Sequence, residues 1–106
     1  MTENTQQFQL DAKLTEIQAL RSTPAGIAAI NFVVQHSSLQ MEAAGQRIVQ
    51  FEMQCICLGA LAERLSHLIL GKAYRFKGFL APSRKGAKTF RLHVTEIVNF
   101  QECDIV

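Results

Sequence analysis

Apolar and polar residues alternate along most of this chain, and the period of the pattern changes once. Phe8, Leu10, Ala12 and Leu14 alternate with Gln9, Asp11 and Lys13, which predicts a strand with one buried face. The alternation slips at Thr15-Glu16 and resumes at Ile17, as a bulge allows. "STPAG" (22–26) is a turn, with proline presetting one backbone angle and glycine supplying a positive one. A second strand over 27–36 puts Ala28, Ile30, Phe32 and Val34 on one face, and a polar loop around Gly45 is predicted over 37–46. A third strand over 47–57 turns Val49, Phe51, Met53, Cys55 and Cys57 one way and Gln50, Glu52 and Gln54 the other. Over 58–70 the spacing becomes three and four: Leu58, Leu61, Ala62, Leu65, Leu68 and Ile69 make one face of a helix, with Gly71 as its stop. The fourth strand (72–81) points Tyr74, Phe76, Gly78 and Leu80 inward, and the fifth (88–100) does the same with Phe90, Leu92 and Val94. Pro82 and Gly86 punctuate the hairpin between them.

The order β-β-β-α-β-β is that of the OB-fold, a small five-stranded barrel with one helix between strands three and four. An SH3-like barrel usually lacks that helix. The expected organisation is all-β: a short polar N-terminal tail (1–7), an OB-fold domain (8–101) and a short C-terminal tail (102–106). A chain of 106 residues supports one such domain.

Charge is distributed unevenly. The net charge is only +2, yet eight basic residues and no acid lie between Arg64 and Thr95, and all nine acids lie outside that window. Within it, "RFKGFLAPSRKGAKTFRLH" (75–93) interleaves Phe76, Phe79 and Phe90 with six cations. That mixture suits a polyanion with flat, stackable parts, a single-stranded nucleic acid. It also fits a solvated face whose phenylalanines point into a core. Arg84, Lys85 and Lys88 fall in the predicted hairpin between strands four and five, a usual nucleic-acid contact in this fold. Lys77, Phe79 and Arg91 fall on the outward faces of those strands, where neighbouring cations call for a compensating phosphate. Arg21 precedes the first turn and Arg47 opens strand three. These eight residues are the candidate binding set.

Other chemistry finds little support. His36, His67 and His93 have no Ser, Cys or carboxylate at a recognisable catalytic spacing, and "LGKAYR" lacks the glycine and Ser/Thr of a phosphate-binding loop. Cys55 and Cys57 share a strand face, and with Cys103 they form no zinc pattern with the histidines, so buried core thiols are expected. No enzyme activity, cofactor or metal is expected. The absence of a basic-then-apolar leader and of an apolar run of about 20 residues predicts a cytoplasmic protein without a membrane anchor. Two classes of function remain: a nucleic-acid-binding factor, or a protein-interaction module whose basic surface docks an acidic partner.

"TPAGIAAINFVVQH" and "MQCICLGALAERLSHLILGKAYRFKGFL" resemble, in order and spacing, the second-strand motif and the following strand–helix–strand block of bacterial single-stranded-DNA-binding proteins. Three features resemble the primosomal replication protein N (PriB) branch of that family. Strand five is followed only by "ECDIV", with no long Gly-, Gln- or Pro-rich tail. There is no tryptophan, and Glu52 or a near neighbour stands where the ordinary proteins place a stacking one. "LHVTEI" (92–97) resembles the corresponding strand. The resemblance implies a homodimer that binds single-stranded DNA and contacts the PriA helicase and other primosome proteins. Without tryptophan the strongest stacking platforms are missing, so the site is expected to lean on charge.

Overall fold

The computed structural model describes residues 7–99. Cys103 and most of both predicted tails lie outside the described residues. The elements run β1 (Phe8–Ile17), β2 (Arg21–Ser22), β3 (Ala28–Glu42), β4 (Gly45–Leu58), α1 (Ala60–Leu65), β5 (Ala73–Pro82) and β6 (Phe90–Asn99). Five strands close in the order β1-β5-β6-β4-β3, with β3 returning to β1, and β2 adds two residues beside β3. This is the expected OB-fold barrel with one short helix.

Closure depends on β1. Phe8 to Lys13 pair with β5, whereas Lys13 to Ile17 pair with β3. The two partners are reconciled at Thr15, the extra residue between the pairs Leu14–Val34 and Glu16–Val33, whose hydroxyl donates to the Val33 carbonyl at 3.1 Å. The slip at Thr15-Glu16 is therefore the expected bulge. The last seam, β4 to β6, is parallel and only two pairs long, Cys55–Leu92 and Ile56–His93.

Alternate residues fill the barrel. Leu14, Phe32, Val34, Phe76 and Leu92 are almost fully buried, and Phe32 and Phe76 pack ring to ring at 5.7 Å. Ala62 and Leu65 of α1 join the same cluster. Cys55 and Cys57 are core thiols, and burial raises their pKa values to about 12 and about 11, so both stay protonated near neutrality. Asp11 and Arg75, opposite each other on β1 and β5, form a bidentate ion pair with nitrogen–oxygen distances of 2.7 and 3.0 Å.

Four local expectations are corrected. Residues 37–46 are not a loop: β3 and β4 continue as a ladder to the pair Glu42–Gly45, and the turn is Ala43-Ala44, both with positive φ (50° and 66°). The usual Asn-Gly signal of such a two-residue turn is absent, so the polar side chains of an exposed ribbon read as a loop. Second, the helix is confined to Ala60–Leu65. His67 and Leu68 then bond three residues back, to Arg64 and Leu65, which tightens the chain into a turn. The Leu14 backbone exchanges hydrogen bonds with Gly71 and Lys72, drawing the segment onto β1 and leaving Ile69 exposed.

Third, Leu80 and Phe90 are not inward but 44% and 54% exposed. The β5–β6 hairpin runs past the short seam with β4, so its inner face has no opposing wall. Fourth, Lys77 and Arg91 are not cross-strand neighbours. Arg91 faces Ala81, four residues along β5 from Lys77, and Lys77 faces Glu96, one residue further along because Thr95 is an extra residue next to Gly78.

Gly78 is required at that bulge. A Cβ there would collide with the His93 carbonyl and crowd the Val94 backbone, neither of which belongs to a flexible side chain. Gly78→Ala is expected to lose about 2–3 kcal/mol of stability, the scale of overpacking in a tight core. Urea denaturation checks this, and an unchanged midpoint would refute it.

Candidate nucleic-acid interface

The outward faces of β3, β4 and β6 lie side by side in the sheet. A groove of about 360 Å³ crosses them, floored by Asn31, Gln54 and Arg91. Gln18, from the loop after β1, bounds one side; Ser83, Arg84 and Thr89, from the loop joining β5 to β6, bound the other, with Phe90 beside them. No acid lines it. The amides offer both donors and acceptors, the arginines offer fixed charge, and Phe90 offers an exposed ring.

Local hydrogen bonds hold this arrangement. Arg21, on β2, donates from Nη2 and Nε to the Asn31 side-chain oxygen at 2.8 and 3.3 Å, which orients the amide. The turn between β2 and β3 is closed by Thr23 and Gly26, whose φ is 83°. Arg91 donates from Nη2 to the Ser83 carbonyl at 2.7 Å, tying the base of the β5–β6 loop to the strand. Its Nε is buried and, among the described residues, has no acceptor. The Ser83 and Thr89 hydroxyls share a 2.6 Å hydrogen bond, and the Ala87 amide returns to the Arg84 carbonyl at 2.9 Å. Arg84, Lys85 and Lys88 are therefore displayed, exposed, from a closed loop beside the groove.

The eight candidates thus separate. Arg84 and Arg91 line the groove, Arg21 meets it through Asn31, and Lys85 and Lys88 stand on the adjoining loop. Phe79 lies apart, in a hollow with Ile56, Leu58 and Leu61, stacked on His93 with ring centres 4.9 Å apart and planes at 11°. Lys77 faces Glu96 on the far side of the bulge. Arg47 sits at the end of the β3–β4 ribbon in an exposed 3.4 Å pair with Glu42. Sequence reasoning missed Gln18, Asn31 and Phe90. Asn31 was the most legible of these, a polar residue inside an otherwise apolar strand; Phe90 was hidden because its alternation matches that of the core residues Leu92 and Val94.

Among the described residues no group of His, Cys, Asp or Glu could hold a metal, and no helix is long and apolar enough to cross a membrane. His36 is occupied structurally: Nδ1–H donates to the Asp11 carbonyl at 2.7 Å and Nε2 accepts from the Ser38 hydroxyl at 2.8 Å.

A closed barrel of this connectivity, with an acid-free groove between its first and last inter-strand loops, defines an OB-fold protein of the single-strand-binding class. A family model described as "Another single-strand binding protein family" matches residues 6–96. Replication restart protein PriB of Bordetella pertussis is 36% identical, over 84% of this chain and 83% of that protein. PriB of Nitrosomonas europaea is 30% identical, over 88% and 86%. The solved structure of PriB from Ralstonia solanacearum matches with a TM-score of 0.80 at 31% identity, covering 91% of this chain and 98% of that one. The single-strand-binding domain of a Synechococcus protein, 20% identical at a TM-score of 0.70, shares the fold. The chain belongs to the PriB family of replication restart proteins.

His93 joins the Phe79 hollow to the groove strand. Burial, and then the Arg91 charge two residues away, lower its pKa below the ordinary 6.5. Protonation is thus disfavoured in the folded chain, and stability falls as the pH drops from 6.5 toward the lower folded value; above 6.5 the residue adds no slope. An NMR titration of the His93 ring is expected to give a midpoint under 6.5 that rises in Arg91→Gln. A wild-type midpoint at or above 6.5 would overturn the assignment.

Proposed function

We propose that this protein binds single-stranded DNA in the groove across β3, β4 and β6, without chemistry, as a cytoplasmic homodimer of the replication restart primosome that contacts the PriA helicase. The observation that carries the reading is the groove itself: amides, arginines and one exposed ring, free of acids, between the two loops that OB-folds use for oligonucleotides. Arg84, Lys85 and Lys88 meet phosphates, Arg21 and Arg91 set the groove's polar floor, and a base stacks on Phe90. Phe79, already stacked on His93, is the weaker platform, and Lys77 and Arg47, each facing a carboxylate, add less. The restart role and the PriA contact rest on family membership.

Binding is tested by fluorescence anisotropy with a labelled oligonucleotide across a salt series. Affinity is expected to fall with a log–log slope of about −0.7 per phosphate contact. Replacing Lys85 and Lys88 by alanine should flatten that slope by about one to two units and weaken all sequences alike. Phe90→Ala should weaken binding by about 1–3 kcal/mol with the slope retained, because stacking releases no counterions. A double lysine variant with unaltered affinity and slope would remove the site from this loop. No binding to any oligonucleotide, with retention of PriA, would favour a pure interaction module.

The dimer is supported by the β1 edge. From Phe8 to Ala12 the strand pairs with β5 on one side, and among the described residues no strand lies on the other. An unpaired edge is a template for a second chain. Light scattering at micromolar concentration is expected to return twice the chain mass; the mass of one chain would refute the dimer.

A further inference from the structure

Four of the eight cations in the acid-free window lie away from the groove: Arg75 is paired with Asp11, Lys77 faces Glu96, and the DNA reading gives Arg64 and Lys72 no role. Arg64, on α1, and Lys72, just before β5, line a separate cavity of about 270 Å³. Its apolar walls are Leu61, Leu65, Leu68 and Ile97, and Tyr74 completes it. No acid lines it, and among the described residues neither cation has a carboxylate partner. The Lys72 ammonium stands 5.7 Å over the Tyr74 ring. The Tyr74 hydroxyl accepts the Ile69 amide at 3.2 Å, which leaves its own proton available to donate. An apolar hollow with two cations and a phenol fits a peptide that carries aliphatic and acidic side chains together.

This chain contains such a segment. "FQECDIV" (100–106) combines Glu102 and Asp104 with Phe100, Ile105 and Val106. It follows β6 directly. Ile97 lines the cavity, and Asn99, at the end of the strand, pairs across the sheet with Tyr74. At about 3.3 Å per extended residue, the seven residues reach about 20 Å from a start beside the cavity. Reach, charge and apolar content all match one occupant.

We propose that the cavity beside α1 is a docking site for residues 100–106 of the same chain, with Glu102 and Asp104 against Arg64 and Lys72 and the aliphatic side chains on Leu61 and Leu68. The test uses the full chain. Cys103 takes a spin label, while the buried thiols of Cys55 and Cys57 do not. The Leu61, Leu65 and Leu68 methyl signals are expected to lose most of their intensity, and the Asn31 and Gln54 side-chain amides to keep theirs. Arg64→Glu with Lys72→Glu should restore the methyl signals. Adding Glu102→Lys and Asp104→Lys to that variant should broaden them again, which a merely damaged cavity does not allow. Methyl signals untouched by the label, or broadening at the groove amides instead, overturn the proposal. So does broadening in a mixture of labelled chains with separate isotope-labelled, untagged chains, which assigns the occupant to another copy.

Discussion

The structure depends on one strand serving two neighbours. β1 gives its first half to β5 and its second half to β3, and the barrel closes because Thr15 is left out of the ladder between them. Were Thr15 paired in the ladder instead, Glu16 and Ile17 would slip by one residue along β3, and a one-residue slip reverses the face of each side chain. Ile17, which packs against the core beyond the bulge, would then turn to the other face. The Leu14 backbone also captures Gly71 and Lys72, so the same point on β1 ends the helical segment and begins β5.

The groove follows from where closure stops. The β4–β6 seam is only two pairs long, so the β5–β6 hairpin projects past it and brings Arg84, Thr89 and Phe90 over the outer face of β3 and β4. On the other side the turn after β2 is held by Arg21 and Asn31. Polar groups between two projecting loops line the resulting groove. The exposure of Phe90 and Leu80 is a consequence of this projection, whereas the long β3–β4 ribbon stands free because β1 leaves β3 at Gln35.

Charge works on two separate surfaces. Arg75 is taken by Asp11 within the barrel wall, the hairpin cations face the groove, and Arg64 and Lys72 face the hollow beside α1. A single acid-free window in the sequence therefore does not correspond to one basic patch. The window winds through a helix, a turn and two strands, and the barrel divides its residues between different faces.

The period-two pattern with one switch determined the element order, and with it the barrel: the core positions Leu10, Leu14, Phe32, Phe76 and Leu92 are those the alternation selects. The bulge at Thr15 and the turn at Gly26 were legible because each breaks the pattern or carries its own backbone chemistry. The limits of β3, β4 and α1, the exposure of Phe90, the register of Lys77 and Arg91 and the membership of the groove were decided by the tertiary structure. Alternation tells which way a side chain points but not whether a wall stands opposite it, and that depends on how far each neighbouring strand extends. Gln18, Asn31, Gln54 and Arg91 come from four segments distant in sequence, and only closure of the barrel sets them side by side.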